Sequence, residues 1–318
     1  MIRKITLFFV ALLCTYFTSF SQKCGFDQVH GYHMANDPAY ARSFNDMKAR
    51  WAAYVASTPN ISSLKVLMPN GVDTVYEIPV VVHVIDTSAA FAGRYSPSNA
   101  IIQAWIDQTN KAWAAESPYT LPGSGGTRIP IKFVLAKRDT ACNASNGIIR
   151  KNGSVLASYN AGGIETPGGG FTGGETDATI KALSRWNNTL YYNIYIVNKI
   201  DGVNGYAGSG SFTAGYAYPP VSPLQYSVDG AVVLASQVFD YANNVTLAHE
   251  VGHAFGLQHT FEGDLNGTTC PPNLDCTLDG DGICDTDPHI RSPFTCPTGT
   301  NPCTGNAYGD VVHNFMDY

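Results

Sequence analysis

Four apolar stretches of the chain have the length and composition of buried β-strands. Val, Ile and aromatic residues dominate them, and turn-forming or polar residues flank each one. The four stretches are residues 78–85, 129–136, 190–197 and 231–234. The pattern predicts a sheet built from these segments.

Two other segments have the three- and four-residue apolar spacing of helices. The first is predicted over residues 97–114, with Ser96 and Pro97 at its start, and the second over residues 244–256. The apolar face of the first comprises Ile101, Ile102, Trp105, Ile106, Thr109 and Trp113. The Gly-rich stretch 161–176 is expected to be a surface loop, and no regular pattern follows Phe261.

The N-terminal part of the chain differs from the rest. Residues 1–22 combine Arg3 and Lys4 with a short apolar run, which is typical of a secretory signal peptide, with a membrane anchor as the alternative. Residues 23–72 contain one helical pattern, 37–54, and then a polar, turn-rich stretch. We interpret 23–72 as a pro-segment and linker, and 73–318 as the main domain, with no membrane contact after the signal is removed.

Composition and charge argue against a nucleic-acid-binding protein, and the cysteines are distributed as in an exported one. Charged residues make up 14% of the chain and the formal net charge is -6, compared with a usual charged share of about 25%. This balance argues against nucleic acid as a main partner. Seven cysteines remain after the signal, and five of them lie within 270–303. In an exported protein this clustering predicts disulfides, and the odd number leaves at least one thiol without an internal partner.

The sequence HEVGHAFGLQH at 249–259 carries the candidate chemistry. His249 and His253 are four residues apart, so they project from one helix face and can bind one ion. Gly256 allows a sharp exit from the helix that can bring His259 round as a third ligand. Three neutral imidazoles leave a fourth zinc position for water, and Glu250 is placed to act as its general base.

This motif resembles the zinc motif of metzincin peptidases, HExxHxxGxxH. The resemblance implies a methionine turn beneath the metal, which NFMDY at 314–318 fits with Met316. It further implies that Tyr318 approaches the zinc and stabilises the transition state. The full series of motifs, with GDGICDT between them, is most similar to the pappalysin family, especially its bacterial members. The similarity covers roughly 75–318 and is specific from about Asp229.

The resemblance implies an α+β fold of the metzincin type. It consists of a twisted, mostly parallel sheet, a backing helix, an active-site helix and an irregular, disulfide-bonded C-terminal subdomain. Substrate would lie along a sheet edge over the zinc, for which Gly205 to Gly208 and Ala231 to Leu234 are candidates. Family members continue beyond the methionine turn with a helix, a cysteine and an acidic pocket residue. We therefore expect the sequence to be a fragment, and a preference for arginine after the scissile bond rests on analogy alone.

The acidic loop after the zinc motif is a candidate calcium site, because bacterial family members bind calcium there. Oxygen ligands among turn-forming glycines suit this ion. The candidate ligands are Asp281, Asp285 and Thr286, and the alternative is a solvated acidic loop. By position, Cys276 and Cys303 are the favoured disulfide pair.

Cys24 stands apart from the other cysteines, just after the predicted signal cleavage. It can be a disulfide partner of Cys142 or of a later cysteine, a lipid attachment site, or a cysteine switch. A thiolate in the fourth zinc position would displace the catalytic water. Precursors of bacterial pappalysins are known for such a switch, and removal of the pro-segment near Arg50 or within 57–72 would then open the site.

Two functions from different classes are consistent with these features. The first is a secreted zinc endopeptidase that acts on proteins or peptides and is made as a zymogen. The second is a zinc-stabilised binding module or pseudoenzyme. The intact Glu250 favours the first, because a structural zinc site needs no base.

Overall fold

The computed structural model describes residues 22–57, 75–87, 92–119, 128–221, 227–292 and 297–317. Its centre is a seven-stranded sheet whose main path runs β1-β8-β9-β7-β2-β3, with β4 also paired to β2. The strands are β1 (Gln22–Cys24), β2 (Tyr76–Asp86), β3 (Ile131–Leu135), β4 (Ile148–Asn152), β7 (Tyr192–Val197), β8 (Phe212–Tyr216) and β9 (Ala231–Leu234). A separate two-stranded sheet pairs β5 (Ile164–Glu165) with β6 (Glu175–Thr176).

The sheet is mostly parallel, as predicted. Strand β2 pairs in parallel with β3, β4 and β7, and β7 pairs in parallel with β9. Strand β8 runs antiparallel to β9, and β1 joins the other side of β8 in parallel. All four predicted strands are present. The two candidates for the substrate edge were wrong, because 231–234 is an inner strand between β7 and β8, and 205–208 is a loop.

Helices cover both faces of the sheet, which is why its central strands are apolar on both sides. They are α3 (Ala92–Tyr95), α4 (Asn99–Trp113), α5 (Ala157–Gly162), α6 (Asp177–Ala182), α7 (Ala235–Phe239) and α8 (Thr246–Ala254). One face packs against α4 and α8 through Ile102, Trp105 and Val251, among others. The other face packs around Tyr159 and Ile180. The predicted helices 97–114 and 244–256 are confirmed as α4 and α8.

Residues 22–57 form a unit that we call the N-terminal segment. It consists of β1 and two helices, α1 (Phe26–Asn36) and α2 (Pro38–Ser57). Asp37 caps α2, because its Oδ1 accepts hydrogen bonds from the backbone of Ala39 (2.9 Å) and Tyr40 (3.1 Å). The helix predicted over 37–54 is therefore present. Residues 1–21 of the predicted signal peptide (1–22) and residues 58–72 of the predicted pro-segment and linker (23–72) lie outside the described residues.

The region after Phe261 is irregular and stapled by two disulfides. Cys270 bonds to Cys303 and Cys276 bonds to Cys284. The predicted pair Cys276–Cys303 was wrong, because Cys276 closes a short local loop whose neighbour in space is Cys284. Cys24 and Cys142 are free thiols, and Cys296 lies outside the described residues. Within the described ranges, no helix is both long and apolar enough to cross a membrane.

Candidate metal centre

Helix α8 and the turn after it bring the three predicted histidine ligands together. His249 and His253 project from one face of α8, and Gly256 ends the helix with a φ of 91°, a value that L-residues rarely adopt. The chain then turns back and places His259 against His249. All three imidazoles are buried.

The nitrogen atoms of these rings are arranged as metal ligands. His249 Nε2 lies 3.1 Å from His253 Nε2 and 3.2 Å from His259 Nε2. A tetrahedral zinc ion at about 2.0–2.1 Å from each nitrogen holds such atoms about 3.3 Å apart. The donor set and its spacing therefore fit zinc.

The opposite nitrogen of each ring contacts an acceptor that fixes the tautomer. His249 Nδ1 lies 2.5 Å from the Phe315 carbonyl oxygen, and His253 Nδ1 lies 2.8 Å from the Leu257 carbonyl oxygen. His259 Nδ1 lies 2.7 Å from Asp27 Oδ1. Because a carbonyl or carboxylate oxygen can only accept, each Nδ1 carries the proton and each Nε2 presents its lone pair to the metal position.

Burial keeps the rings of His249 and His253 neutral, as zinc ligands must be. It lowers the pKa of His249 to about 3, with a further contribution from the neighbouring His259. It also lowers the pKa of His253 well below its usual range, assisted by His259 and His249. A charged imidazole in this enclosed site would lose its hydration, and a second charged imidazole beside it would be repelled.

Glu250 lies beside the three histidines, where the sequence places the general base. Its side chain is buried, and Gly215 of β8 leaves room for it, since a Cβ at 215 would lie 3.0 Å from Glu250 Oε1. Burial raises the pKa of Glu250 well above its usual range, against a smaller opposing effect of the hydrogen bond from Cys24. A carboxylate with a raised pKa is a better proton acceptor than an exposed one.

Cys24 is brought to the same place from the other end of the chain. Its Sγ lies 3.4 Å from His253 Nε2 and 3.7 Å from Glu250 Oε2. One ligand atom from Cys24 and one from each of the three histidines all lie within 4.8 Å of one another. Burial, and then the charge of Glu250, raises the pKa of the Cys24 thiol well above its usual range. A bound dication would reverse this effect and favour the thiolate.

The predicted methionine turn lies under α8. Met316 is buried, its carbonyl oxygen accepts from Thr260 N at 3.2 Å, and the preceding residue, Phe315, holds His249. Gly252, within the zinc motif, lies so close to Met316 that an added Cβ would clash with its Sδ. Tyr318, predicted to stabilise the transition state, lies outside the described residues.

Sequence reasoning missed several residues that complete the site. The ring of Phe26 stacks on His253 with a centroid distance of 3.8 Å. Arg291 donates to Asp27 Oδ2 at 3.3 Å and makes two side-chain bonds to the buried Asp264, at 2.8 and 2.7 Å. Burial alone would raise the pKa of Asp27, but His259 and Arg291 hold it below its usual range. No local spacing could reveal the contacts of Phe26 with His253 or of Asp27 with Arg291, because each joins residues more than 200 positions apart.

The candidate calcium residues lie in the irregular region. Asp281 Oδ1 accepts from Ile283 N at 2.9 Å, and burial raises the pKa of Asp281 to about 6. Asp285 is exposed and Thr286 is half-buried. Among the residues that the structure describes, no group of three His, Cys, Asp or Glu ligands gathers around Asp281. A cation there would depend on backbone and hydroxyl oxygens as well as carboxylates.

Comparison with known sequences places the second half of the chain in a family. Residues 174–318 match the Peptidase_M43 family model, described as pregnancy-associated plasma protein-A. An extracellular metalloprotease of Podospora anserina is 28% identical over 76% of this chain and 66% of its own length. One of Colletotrichum graminicola is 35% identical over 40% of this chain and 41% of its own length. The matched part of the chain thus covers less than two thirds of the length of each of these two relatives.

Solved structures share the fold. Promirolysin of Tannerella forsythia, in a mutant form, matches with a TM-score of 0.61 and 22% identity over 93% of this chain and 87% of its own. Mirolysin in complex with compound 9 matches with a TM-score of 0.55 and 24% identity over 77% of this chain and 84% of its own. Residues 174–318, which contain the zinc motif, thus match the pappalysin family model, and the chain shares the fold of mirolysin.

Proposed function

We propose that the chain is a secreted, zinc-dependent endopeptidase that is made as a latent precursor. The observation that carries the proposal is the convergence of three buried imidazole nitrogens, at 3.1–3.2 Å, beside the buried Glu250. The relatives named extracellular metalloproteases support secretion, and their name implies protein or peptide substrates.

The residues of the site have distinct roles in peptide hydrolysis. His249, His253 and His259 would hold the zinc, which polarises water and the scissile carbonyl when it is bound. Glu250 accepts the proton of the attacking water and passes it to the nitrogen of the leaving amine. Tyr318 is proposed to donate a hydrogen bond to the developing oxyanion.

Strand β8 is the proposed substrate-binding edge. In the described residues it carries β9 on one side and only the short β1 on the other. If the N-terminal segment leaves, the second side of β8 becomes open to an extended peptide, which can bind by strand addition. Gly215 of β8 touches both Glu250 and the backbone of Gly25, so this edge leads directly to the catalytic base.

The N-terminal segment is proposed to keep the precursor inactive through Cys24. In support of this role, strand β1 pairs with β8, and the Cys24 thiol lies within 4.8 Å of a ligand atom of each of the three histidines. A thiolate is a strong zinc ligand, so it would take the place of the zinc-bound water. Glu250 would then have no water to deprotonate. In this proposal residues 1–22 are the signal peptide, 23–72 the pro-segment and linker, and 73–318 the catalytic domain.

Digestion of casein by the purified, processed protein tests the enzymatic proposal. We expect activity that is lost with a chelator, restored by zinc, and abolished by Glu250→Ala. Glu116→Ala, the same change at an exposed position, is the matched control and should retain activity. A protein that binds one zinc ion and stays folded but never cleaves casein would instead be a binding module or pseudoenzyme.

Self-processing of the precursor tests the proposed latency. We expect Cys24→Ala to be processed earlier and to show activity sooner than wild type. The matched control is Cys142→Ala, because Cys142 is also a free thiol but is exposed and far from the zinc motif in the chain. Equal latency of the two variants would contradict a role for Cys24.

Structural calcium binding by Asp281, Asp285 and Thr286 is a further part of the proposal. Clustered carboxylates repel one another unless a cation lies between them. Thermal melting with zinc held constant should give a higher midpoint in excess calcium than in a calcium-selective chelator, and Asp281→Asn should reduce the difference. Identical melting curves in calcium and in the chelator would contradict structural calcium binding.

A preference for arginine after the scissile bond is proposed from the family resemblance only. Mass-spectrometric mapping of the cleavage sites in a peptide library would measure it. Enrichment of arginine at the first position after the cut is expected, and an even distribution would contradict it.

A further inference from the structure

The three zinc-ligand candidates differ in where their outer hydrogen bonds come from. His249 and His253 are oriented by backbone carbonyls of the main domain, those of Phe315 and Leu257. His259 is oriented by the carboxylate of Asp27, which belongs to the N-terminal segment. One of the three ligands therefore depends on a part of the chain that, in the proposed function, is removed on activation.

The position of Asp27 is fixed by the elements around it. Gly25 N donates to the Gly215 carbonyl oxygen at 2.8 Å, which anchors the chain just before α1. Phe26 is buried and stacks on His253. Asp27 then lies in the first turn of α1, and its second oxygen accepts from Arg291.

Arg291 is itself held rigidly. It makes a two-bond contact with Asp264, whose side chain is fully buried. Its guanidinium also lies 4.6 Å from the ring centroid of Phe261, and Phe261 stacks on His259 at 4.8 Å. Arg291 of the main domain is thus already oriented to bind the Asp27 carboxylate next to His259.

We propose that Asp27 is a positioning residue for the metal, so that the precursor retains zinc more tightly than the form without the N-terminal segment. The inference rests on the proposed function. A carboxylate on the far nitrogen of a ligating histidine fixes its tautomer and ring orientation and makes it a stronger donor. Loss of such an outer partner typically weakens metal binding about 10–100-fold.

This role is separate from that of Cys24. Cys24 would bind the metal itself and be lost as a ligand on activation, whereas Asp27 contacts Nδ1 of His259 and is not one of the four residues grouped around the proposed zinc position. The precursor would therefore bind zinc and release it slowly, and release would become faster once the N-terminal segment has left.

Zinc release from the full-length precursor tests the proposal without any measurement of activity. All variants carry Glu250→Ala, so that the segment cannot be cut away. Asp27→Asn is compared with Asp46→Asn, the same change at an exposed position in α2 of the same segment. The rate of zinc transfer to a chromogenic chelator should rise about 10-fold or more for Asp27→Asn and stay at the parent value for Asp46→Asn.

A cobalt-substituted sample shows whether the segment remains docked. The absorption band from thiolate to cobalt reports Cys24 at the metal, so it should persist in Asp27→Asn while metal release accelerates. Loss of that band would mean that Asp27 docks the segment instead of orienting His259, and would overturn the proposal. Equal release rates with one zinc bound would also overturn it, whereas failure of every variant to bind zinc would contradict the proposed function itself.

Discussion

The active-site helix and the irregular region after Phe261 both contain many potential metal ligands, but among the described residues the histidines of the first converge on one position and the carboxylates around Asp281 do not. On α8 and its following turn, three histidines converge within hydrogen-bonding distance. In 262–292, the acidic side chains mostly bond to nearby backbone, as Asp275 and Asp281 do with Thr277 and Ile283. A regular element fixes side chains on a common face, while a loop allows each carboxylate to satisfy its own local amides.

The largest expected difference between the two regions is in zinc binding. His253→Ala removes a buried ligand, and we expect zinc content to fall and activity to drop by more than about 100-fold, since even outer partners are worth 10–100-fold. Asp281→Asn should leave zinc content at the wild-type level. Metal analysis of both purified variants measures this, and equal zinc in the two would refute the assignment of His253.

The two disulfides should contribute unequally to the stability of the irregular region. In the chain-entropy model, closing 33 residues with Cys270–Cys303 contributes about 3.7 kcal/mol, and closing 8 residues with Cys276–Cys284 about 2.5 kcal/mol. Urea unfolding of the two double Cys→Ser variants should show the larger loss for the first pair. Equal losses would indicate that loop length does not govern their contribution.

The ion pair of Arg291 with Asp264 connects the irregular region to the zinc site. Arg291→Met would leave the fully buried Asp264 without its cation. Because Arg291 keeps 25% of its side chain exposed, we expect the low end of the cost of breaking a buried pair, about 3 kcal/mol. Denaturant unfolding measures it, and Arg185→Met, which removes a cation bonded only to a backbone carbonyl in an exposed contact, should cost much less.

The smallest expected effect is on the acid stability of the same pair. Burial alone would raise the pKa of Asp264, but its bonds to Arg291 hold the pKa below its usual value of 3.8. A depressed folded pKa means that the stabilisation is complete above the unfolded pKa and is lost as pH falls through the folded value. The stability difference between wild type and Asp264→Asn should therefore shrink below about pH 4. Unfolding in the presence of a chelator, which removes zinc effects, tests this, and a constant difference down to pH 3 would contradict it.

Regular elements of the main domain were predictable because each has a local cause. The strands around Val82 and Ile194 are continuous apolar runs, and α4 has an apolar stripe at helical spacing. Strand β8 was missed because its sequence, Phe212–Tyr216, is short and contains Gly215, which is unusual in strands but is needed here to admit Glu250. Helix α1 was missed because its apolar residues form no clear stripe.

The sequence by itself determined the candidate zinc ligands, the candidate base and four strands of the sheet, because the fixed periods of helix and strand place nearby residues in predictable directions. Only the tertiary structure decided the partners of Cys24, Asp27 and the disulfide cysteines. The contacts of Cys24 and Asp27 join residues far apart in the chain, and their distances depend on how β1 adds to β8 and how the loop after Phe261 folds back on His259. Periodicity carries no information about such long-range pairs, so the contacts of the N-terminal segment with the candidate zinc site become visible only in the folded molecule.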